Sequence, residues 1–576
     1  MDNVSIARAL GELADLLEIQ GSNPFRVRAY RNAARTVETL ATPVAGLVGR
    51  GDDLTTLPGI GKEMAAHLTE LATTGNCSVL DQLCRLLPRE LLGLTRLPGV
   101  GPKKARILWQ ELGIDSLEAL EAAGKAGKLA LLAGFGEKTE QKILRGLEQH
   151  RRFSARHKLV DADRLVEPLL ERLGGAEGLE RLEVAGSYRR RRETVGDIDL
   201  LAAARSSGAV NEGLLSYPGV EETLAAGDTK SSVLLAGGLQ VDLRVVEPES
   251  HGAALVYFTG SQAHNVKLRQ RARGRGLKLS EYGVFRTGNG ALGRPVAGAS
   301  EEEVYAALGL PWIPPELRED RGEVERAEEG TLPLLVEQSH LRGDLHLHTV
   351  WSDGKGSVQE MVRACAGRGY EYLAITDHSR TLAMTGGLDA VRLRRQWEEV
   401  ARVQEAEPGI RILRGMEVDI LADGSLDLED ELLAGLDLVI VSVHSRFGLS
   451  RAEQTARVLR ALAHPEVNLL AHPTGRLINR RDPYQVDLDE VLASAAENRV
   501  AVELNSNPNR LDLKDSHLME AKRRGLKVAI NSDAHSVAGL ELIRYGVEQG
   551  RRGWLEPGDV LNALALGDLL AVLAKE

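Results

Sequence analysis

The C-terminal part of the sequence carries histidines and acids at the ends of short apolar runs. Six of the 14 histidines of the chain follow such runs, together with three carboxylates. The set comprises His346, His348, Asp353, His378, Glu417, His444, His472, Asp533 and His535. One histidine at a strand end is usually a hydrogen-bonded core residue, but nine nitrogen and oxygen donors in one region indicate a metal centre. Imidazole and carboxylate without thiolate favour zinc, manganese or iron over magnesium alone.

Two aspartates in the middle of the chain stand two residues apart. In the run AGSYRRRRETVGDIDLL, Asp197 and Asp199 point to one face of a strand, while Ile198 and Leu200 point to the other. Asp242, in LQVDLRVV, lies on the polar face of a second alternating run. Adjacent carboxylates repel each other, so a divalent cation is their natural partner, and two magnesium ions on three such acids can drive phosphoryl transfer. The alternative interpretation is a strand end with solvated acids.

A short glycine motif is repeated in the N-terminal part. LPGIG at 57–61 recurs as LPGVG at 97–101, and lysines follow each copy. Glycines in such a hairpin let backbone N–H groups and the N-terminus of the next helix face a phosphate. Contacts of this kind recognise a nucleic-acid backbone and not its base sequence. A helix-ending turn would explain one copy, but two matched copies favour phosphate contact. The repeat resembles the tandem helix-hairpin-helix of DNA-handling proteins. The candidate contact residues are Gly59, Gly61, Lys62, Gly99, Gly101, Lys103 and Lys104.

Three kinds of periodicity must position these residues. The first 150 residues have the pattern of short amphipathic helices broken by glycine, which predicts an all-helical region. Strand-like runs at 198–203, 232–235 and 239–246 predict a sheet in the middle part. From Leu341 onward, seven apolar runs alternate with helical stretches, which predicts a parallel α/β sheet or barrel with its site at the strands' C-terminal ends.

Length, charge and cysteine content bound the class of protein. The 576 residues predict several domains, and three cysteines are too few for a disulfide framework and indicate a reducing compartment. No apolar run has the length of a membrane span, and no signal peptide is expected. The net charge of −11 is confined to the C-terminal part, since residues 1–318 hold 41 basic and 40 acidic side chains. The run 267–286 forms a basic stripe, and the charged segment 316–339 suits an exposed connector.

The first half of the chain resembles family X DNA polymerases, the group that includes DNA polymerase beta. The resemblance covers residues 1–318 and is carried by the Gly186–Ser187 turn, the three aspartates, YFTGSQAHN, AYRNAA and the hairpin pair. It implies that Asp197, Asp199 and Asp242 are the catalytic ligands of Mg²⁺ or Mn²⁺. It also implies that Tyr257 disfavours a 2′-OH and that Arg269 lies near the template. The implied nucleotide-binding residues are Gly186, Ser187, Arg190, Tyr257, Phe258, Gly260, Asn265 and Arg269.

One departure from the polymerase family concerns its lyase activity. Members with 5′-deoxyribose-phosphate lyase activity form a Schiff base through a lysine in the helix after the first hairpin. His67 occupies the matching position, and Glu63 replaces a preceding lysine of the family. Because histidine cannot form that imine, lyase activity is expected to be absent or weak unless Lys62 substitutes.

The C-terminal part resembles the polymerase and histidinol phosphatase (PHP) domain over residues 340–576. The motifs are HLHT, SDG, TDH, GMEVD, SVH, AHP and NSDAH, and all nine ligand positions of the family are filled. The resemblance assigns three divalent metals, Zn²⁺, Mn²⁺ or Fe²⁺, to the sets His346–His348–Glu417–Asp533, Glu417–His444–His472 and Asp353–His378–His535. The implied chemistry is attack of a metal-activated water on a phosphoester, as in a 3′–5′ exonuclease.

The fusion resembles the bacterial and archaeal form of family X. The expected fold is an all-α helix-hairpin-helix region, an α+β nucleotidyltransferase palm and thumb, and a PHP distorted (βα)₇ barrel. The expected domains are an N-terminal helical domain, a fingers-like domain, palm, thumb, linker and PHP domain, over 1–85, 86–153, 154–250, 251–318, 319–339 and 340–576.

The implied function is gap filling in DNA repair, on gapped or primer-template DNA with deoxynucleoside triphosphates. No membrane partner is expected, and the expected location is the cytoplasm, at the nucleoid. Three alternatives remain open. They are a histidinol-phosphate type phosphatase carrying an inactive polymerase, a purely structural PHP domain, and untemplated nucleotide addition.

Overall fold

A computed structural model describes residues 3–38, 44–57, 59–88, 90–95, 100–154, 156–287, 294–382 and 385–575. The described residues of the first 154 form helices and turns, as the periodicity predicted. Their core contains Leu13, Leu17 and Tyr30, all buried. The helices are α1 Asn3–Gln20, α2 Pro24–Glu38, α3 Val44–Arg50, α4 Lys62–Thr74, α5 Ser78–Leu86, α6 Leu91–Leu94, α7 Pro102–Leu112, α8 Leu117–Lys125 and α9 Glu137–Ser154.

The middle of the chain forms a five-stranded sheet in the order β2-β4-β7-β6-β5, with a small β1-β3 pair beside it. The three predicted strands are confirmed as β4, β6 and β7. Sequence patterning missed β2 and β5 because none of their side chains is fully buried, so apolar alternation is weak. The elements are β1 His157–Lys158, α10 Leu159–Gly174, β2 Leu179–Val184, α11 Gly186–Arg189, β3 Thr194–Val195, β4 Asp197–Ala204, α12 Gly208–Leu215, β5 Val220–Ala226, β6 Lys230–Leu235 and β7 Leu239–Val246.

A helical region with a small β-hairpin follows the sheet. Its core includes Val256, Leu268 and Tyr305, and α13 is buried on nearly all sides. The elements are α13 His251–Thr259, α14 Gln262–Gly274, β8 Leu277–Ser280, β9 Gly283–Arg286 and α15 Glu301–Ala307.

The segment 316–339 is only partly exposed: the residues around Arg318 and Glu323 are packed into the molecule, whereas most of 328–339 is exposed. It contains α16, Glu323–Glu329. Arg318 and Glu323 are fully buried, and the Glu323 carboxylate pairs with His264 Nδ1 at 2.6 Å. Charge content suggested exposure, but the charges of this segment are satisfied by partners from other parts of the chain, which only the folded structure reveals.

The C-terminal part is a seven-stranded parallel sheet in chain order, β10 to β16. Leu347 at the end of β10 bridges Ala534 just after β16, so the sheet closes toward a barrel. All seven predicted runs lie on its strands. The elements are β10 Gly343–Leu347, α17 Val358–Gly367, β11 Tyr372–Ile375, α18 Ala390–Ala406, β12 Arg411–Asp419, α19 Asp430–Leu433, β13 Leu438–Ser442, α20 Arg451–Leu462, β14 Leu469–Leu470, α21 Leu488–Glu497, β15 Ala501–Asn505, α22 Asp515–Arg523, β16 Val528–Asn531, α23 Ile543–Arg552 and α24 Leu566–Leu573.

The barrel packs directly against the middle sheet. Ile478, Leu511 and Tyr545 of the barrel part are buried in the same apolar cluster as the helices and strands of the middle sheet. Tyr545 also donates its hydroxyl to Asp163 of α10 at 2.8 Å. The two parts therefore share a continuous interface. None of the helices in the described residues is long and apolar enough to cross a membrane.

Candidate functional site

The three candidate catalytic aspartates lie on two neighbouring strands. β4 and β7 pair in parallel, and the register places Asp199 directly opposite Asp242. Ile198 and Leu200 on the other face of β4 are buried, which fixes the direction of the acids. Gly186 has φ +63°, and a Cβ there would overlap the Asp199 carboxylate, so glycine is required for this close approach.

The charges of the three aspartates are poorly balanced. Burial raises the pKa of Asp199 to about 7, and the neighbouring Asp197 and Asp242 carboxylates add to the shift. Burial and Asp242 likewise raise the pKa of Asp197. The Lys230 ammonium lies 3.4 Å from Asp242. Three converging carboxylates, of which Asp197 and Asp199 have raised pKa values, fit a divalent cation of the oxygen-preferring kind.

The candidate nucleotide residues after the sheet form one connected surface. Tyr257 and Phe258 contact edge to face, with ring centroids 5.0 Å apart. The Asn265 amide donates to the Tyr257 carbonyl at 2.6 Å, and the Arg269 guanidinium lies over the Tyr257 ring at 5.9 Å. Gly260 ends α13 with φ +70°. The structure thus brings these five residues together, as expected.

Arg190 does not have a free side chain. It is buried, its Nε donates to Glu319 Oε1 at 3.0 Å, and its Nη1 donates to the Thr259 carbonyl. Ser187 lies in α11, three residues earlier. A triphosphate would therefore have to compete with Glu319 for the Arg190 guanidinium.

The two glycine hairpins have matching geometry where they are described. Gly61 and Gly101 precede α4 and α7 with extended backbone, at ψ 176° and 174°. Gly59 has φ +76°, and Lys62 and Lys103 are exposed at the first turns. The Lys104 ammonium lies over the Phe135 ring at 5.2 Å. Gly99 lies outside the described residues.

At the position where the family carries its Schiff-base lysine, this chain has a hydrogen-bonded histidine. His67 Nδ1 lies 3.1 Å from the Tyr30 hydroxyl, and the two rings stack at 5.8 Å. Glu63 pairs with Arg26 at 3.4 Å. This arrangement offers no amine at the His67 position.

All nine candidate metal ligands of the C-terminal part meet at the carboxyl ends of the barrel strands. Three groups of side chains have donor atoms within 4.8 Å of one another. The groups are His348–Asp353–His378–His535, His346–His348–Asp533 and His378–Glu417–His444. His472 Nε2 lies 3.0 Å from Glu417 Oε1. The membership of these groups differs from that of the three expected ligand sets. Because His348 and His378 each join two groups, the side chains form one continuous cluster.

Several donor atoms of the cluster have no hydrogen-bond partner. Within the described part of the chain, His346 Nε2, both ring nitrogens of His348, and His472 Nδ1 are buried without a hydrogen-bond partner. His346 Nε2 and His348 Nε2 nevertheless lie 3.3 Å and 3.2 Å from carboxylate oxygens of Glu417 and Asp533. His472 and Asp533 have φ values of +28° and +53°, a strained backbone region of the kind stored at functional sites. Unpartnered buried nitrogens that converge with carboxylates fit divalent metal ions bound by nitrogen and oxygen.

The charges of this cluster balance one another. The pKa values of Glu417 and Asp533 lie well below their usual range because the surrounding histidines outweigh burial. Burial opposes both shifts at Asp353 and His535, but their mutual hydrogen bond lowers the pKa of Asp353 to about 2 and raises that of His535 to about 9. Burial lowers the pKa of His348 to about 3.

Sequence analysis missed the carboxylates that orient the ligands. Glu503 is fully buried on β15 and lies 2.7 Å from His346 Nδ1, which leaves Nε2 toward the cluster. The same carboxylate accepts from the His472 backbone N–H at 2.8 Å. Asp419 lies 3.3 Å from His444 Nδ1. Glu503 and Asn505 alternate in ELNSN as the ligands do in HLHT, and this spacing was the available signal.

Four family models match successive parts of the chain. The helix-hairpin-helix domain family matches residues 1–77, and the SAM-like helix-hairpin-helix tandem matches 91–149. The DNA polymerase beta thumb matches 254–319, and the PHP domain matches 344–507. DNA polymerase/3′-5′ exonuclease PolX of Bacillus subtilis (strain 168) is 41% identical over 577 residues, with 100% of each chain covered. The chain belongs to the PolX family.

Two other relatives match parts of this PolX-family chain. DNA polymerase lambda of Rattus norvegicus is 26% identical over 351 residues, which cover 55% of this chain and 56% of the relative. A probable phosphatase of Syntrophotalea carbinolica is 27% identical over 229 residues, or 38% of this chain and 90% of the relative. Together with the PolX match, these findings confirm the expected combination of helix-hairpin-helix, polymerase and PHP parts.

Proposed function

We propose that this PolX-family chain adds deoxynucleotides to a primer at short gaps in DNA, and that its PHP domain removes nucleotides from 3′ ends. The observation that carries the first half is the parallel β4–β7 pair, which sets Asp199 opposite Asp242 and beside Asp197. The cluster of eight grouped side chains, with His472 in contact with Glu417, supports the second half. The relative's printed name, DNA polymerase/3′-5′ exonuclease, supports both.

In the palm, Asp197, Asp199 and Asp242 would hold Mg²⁺ or Mn²⁺. Such ions, when bound, activate the primer hydroxyl and neutralise charge on the transferred phosphate. Ser187 and Arg190 bind the triphosphate, and Gly186 allows the backbone to lie against Asp199. Tyr257, Phe258 and Gly260 bound the sugar pocket, while Asn265 contacts the nucleotide and Arg269 the template side.

In the PHP domain, the nine ligands would hold three divalent ions, drawn from Zn²⁺, Mn²⁺ and Fe²⁺. These ions supply an activated water and a Lewis acid for phosphodiester hydrolysis. Glu503 fixes the ring orientation of His346, and Asp419 does the same for His444. The hairpin residues Gly59, Gly61, Lys62, Gly99, Gly101, Lys103 and Lys104 hold the DNA backbone for both activities. The proposed location is the cytoplasm, at the nucleoid.

One gel tests the proposal. A 5′-labelled primer in a one-nucleotide-gapped duplex is incubated with the protein and manganese, with and without deoxynucleoside triphosphates. A band one nucleotide longer with triphosphates and a descending ladder without them are expected. Extension without shortening would contradict the exonuclease, and shortening without extension would contradict the polymerase.

A second candidate activity is removal of phosphate from a small molecule. The similarity to a probable phosphatase over 38% of this chain favours it. Hydrolysis of histidinol phosphate is compared with shortening of a 3′-recessed duplex under the same conditions. Faster turnover of the small phosphoester would favour the phosphatase, while faster shortening of the duplex would favour the exonuclease.

A further inference from the structure

The arginine run that follows Ser187 is held from outside the palm. Arg189 Nη1 lies 2.8 Å from Glu301 Oε1 of α15, and Arg190 Nε lies 3.0 Å from Glu319 Oε1. Arg191 Nη2 lies 2.7 Å from Glu548 Oε1 of α23. Arg192 also approaches Glu319, at 3.4 Å. Each of these four arginines therefore has an acidic partner in the thumb, the connector or the PHP domain.

The loop needs these outside contacts because its own backbone is strained. Arg191 has φ +53°, a left-handed conformation that a non-glycine residue keeps only where the surrounding structure holds it. Its guanidinium stacks on the Tyr188 ring at 5.1 Å and pairs with PHP Glu548. Glu193, two residues later, accepts from PHP Arg476 Nη2 at 2.7 Å. The PHP domain thus holds the loop at both residues.

Arg552, the last residue of α23, is a PHP side chain that contacts the backbone of this loop. It is buried, and its Nη1 donates to the Arg190 carbonyl at 2.6 Å and to Glu319 Oε1 at 3.1 Å. Its Nη2 donates to Asp515 Oδ2 at 2.6 Å. Arg552 therefore donates to the backbone of Arg190 and to Glu319, the same carboxylate that accepts from the Arg190 side chain.

The sharing matters because Glu319 is itself buried. Burial alone would raise the pKa of Glu319, but Arg190, Arg552 and Arg192 hold it below the usual range. When the Arg190 guanidinium turns to a triphosphate, Glu319 loses one of its cations. Leaving a buried carboxylate poorly paired is costly. Of the two cations that remain, Arg552 is the nearer at 3.1 Å, and Arg192 lies at 3.4 Å. Without Arg552, release of Arg190 to a nucleotide is less favourable.

We propose that Arg552 of the PHP domain is a positioning residue for nucleotide binding in the palm. It holds the loop at the Arg190 carbonyl and keeps Glu319 paired when Arg190 engages the triphosphate. The PHP domain then contributes to polymerisation through this contact, independently of its metal cluster. The inference rests on the proposed polymerase function and on the nucleotide role of Arg190.

Single-turnover gap filling with the full-length protein tests the proposal. Incorporation is measured across a range of deoxynucleoside triphosphate concentrations, which separates the nucleotide Kd from the maximal rate. For Arg552→Met, we expect Kd to rise by about three- to thirty-fold, the range of energetic coupling through packed networks, with a much smaller change in maximal rate. Arg551→Met is the matched control. Arg551 is the neighbouring residue of α23 and pairs instead with Glu316 at 2.7 Å, so its variant should keep the wild-type Kd.

Two further variants separate positioning from general destabilisation. Arg552→Lys keeps the charge and should recover part of the affinity. Adding Glu319→Gln to Arg552→Met removes the carboxylate that retains Arg190, so the double variant should bind nucleotide more tightly than Arg552→Met alone. Exonuclease rate reports folding of the PHP domain in every variant, and it should match the wild type.

Three results would overturn the proposal. These are an unchanged Kd in Arg552→Met, an equal rise in Arg551→Met, and loss of polymerase amplitude and exonuclease rate together without a change in Kd. Failure of the wild-type protein to extend the primer would instead refute the proposed polymerase function. The wild-type reaction therefore distinguishes the two failures.

Discussion

The palm aspartates and the PHP cluster are two different arrangements of candidate ligands for divalent cations. The palm gathers three carboxylates with few compensating charges, so burial and mutual repulsion raise the pKa of Asp199 to about 7. The PHP cluster mixes six histidines with three acids, and the acids Glu417 and Asp533 stay ionised far below their usual pKa. A bound cation would therefore balance the charge of the palm acids, whereas the acids of the PHP cluster already lie among histidines.

The two sites also differ in how many elements build them. Two adjacent strands, β4 and β7, carry all three palm acids, and one register places them. The PHP ligands come from six of the seven strand ends and need the whole barrel to close. Function in the palm should accordingly depend on single acids, while function in the PHP domain should also depend on residues that orient the ligands.

The largest expected effect is loss of the palm activity alone. Asp199→Ala removes the carboxylate opposite Asp242, so gap filling should fall by about 10³-fold or more. Exonuclease activity should be unchanged, because its ligands lie in another domain. Rates on a gapped duplex, with and without deoxynucleotides, check this. The exposed Asp228 lies between β5 and β6, and Asp228→Ala serves as the control. Parallel loss of both activities in Asp199→Ala would contradict two independent sites.

The converse change is made at His378. Its Nδ1 lies 2.9 Å from Glu417 Oε2, and its Nε2 lies 3.6 Å from Asp353 Oδ1, so it joins two ligand groups. His378→Ala should lower the exonuclease rate by more than about 100-fold, above the effect typical of outer partners, and spare extension. His464→Ala, at a histidine that pairs with Asp430 away from the cluster, should leave both activities intact. Full nuclease activity in His378→Ala would remove this residue from the proposed ligands.

A smaller effect is expected at the orienting carboxylate. Glu503→Gln weakens the contact to His346 Nδ1, so the manganese concentration for half-maximal exonuclease activity should rise by about 10- to 100-fold. The maximal rate should be largely recovered at high manganese. Titration of the metal in the nuclease assay measures this shift, with Glu497→Gln on the exposed side of α21 as the control. An unchanged metal dependence would show that Glu503 has no influence on the cluster.

The smallest effect is expected at the helix-hairpin-helix region, which we propose holds DNA for both active sites. Lys103→Ala at the second hairpin should lower the slope of log affinity for DNA against log salt by about 0.9, the value for one lost phosphate contact. Both activities should weaken equally at limiting DNA. Lys125→Ala removes a lysine that pairs with Glu121 on α8 and should leave the slope unchanged. A selective effect on one activity would mean that the hairpin serves only one site.

Much of both candidate sites was predictable because the ligands sit at strand ends. Alternation alone placed Asp197 and Asp199 on one face, and the HLHT and NSDAH motifs marked the PHP cluster. The same pattern analysis missed Glu503, whose function lies in a contact to His346 that is 157 residues away in sequence. It also misjudged Glu323, whose charge is balanced by His264 in the interior.

By itself, the sequence determined the chemistry of each part, because residue type and local period set which donors a strand can present. It also determined the order of helical, mixed and barrel regions. Only the tertiary structure decided that Arg190 is paired with Glu319, and that PHP Arg552 contacts the palm loop. Such pairings depend on where distant segments meet, and long-range packing is not encoded in any local pattern of the chain.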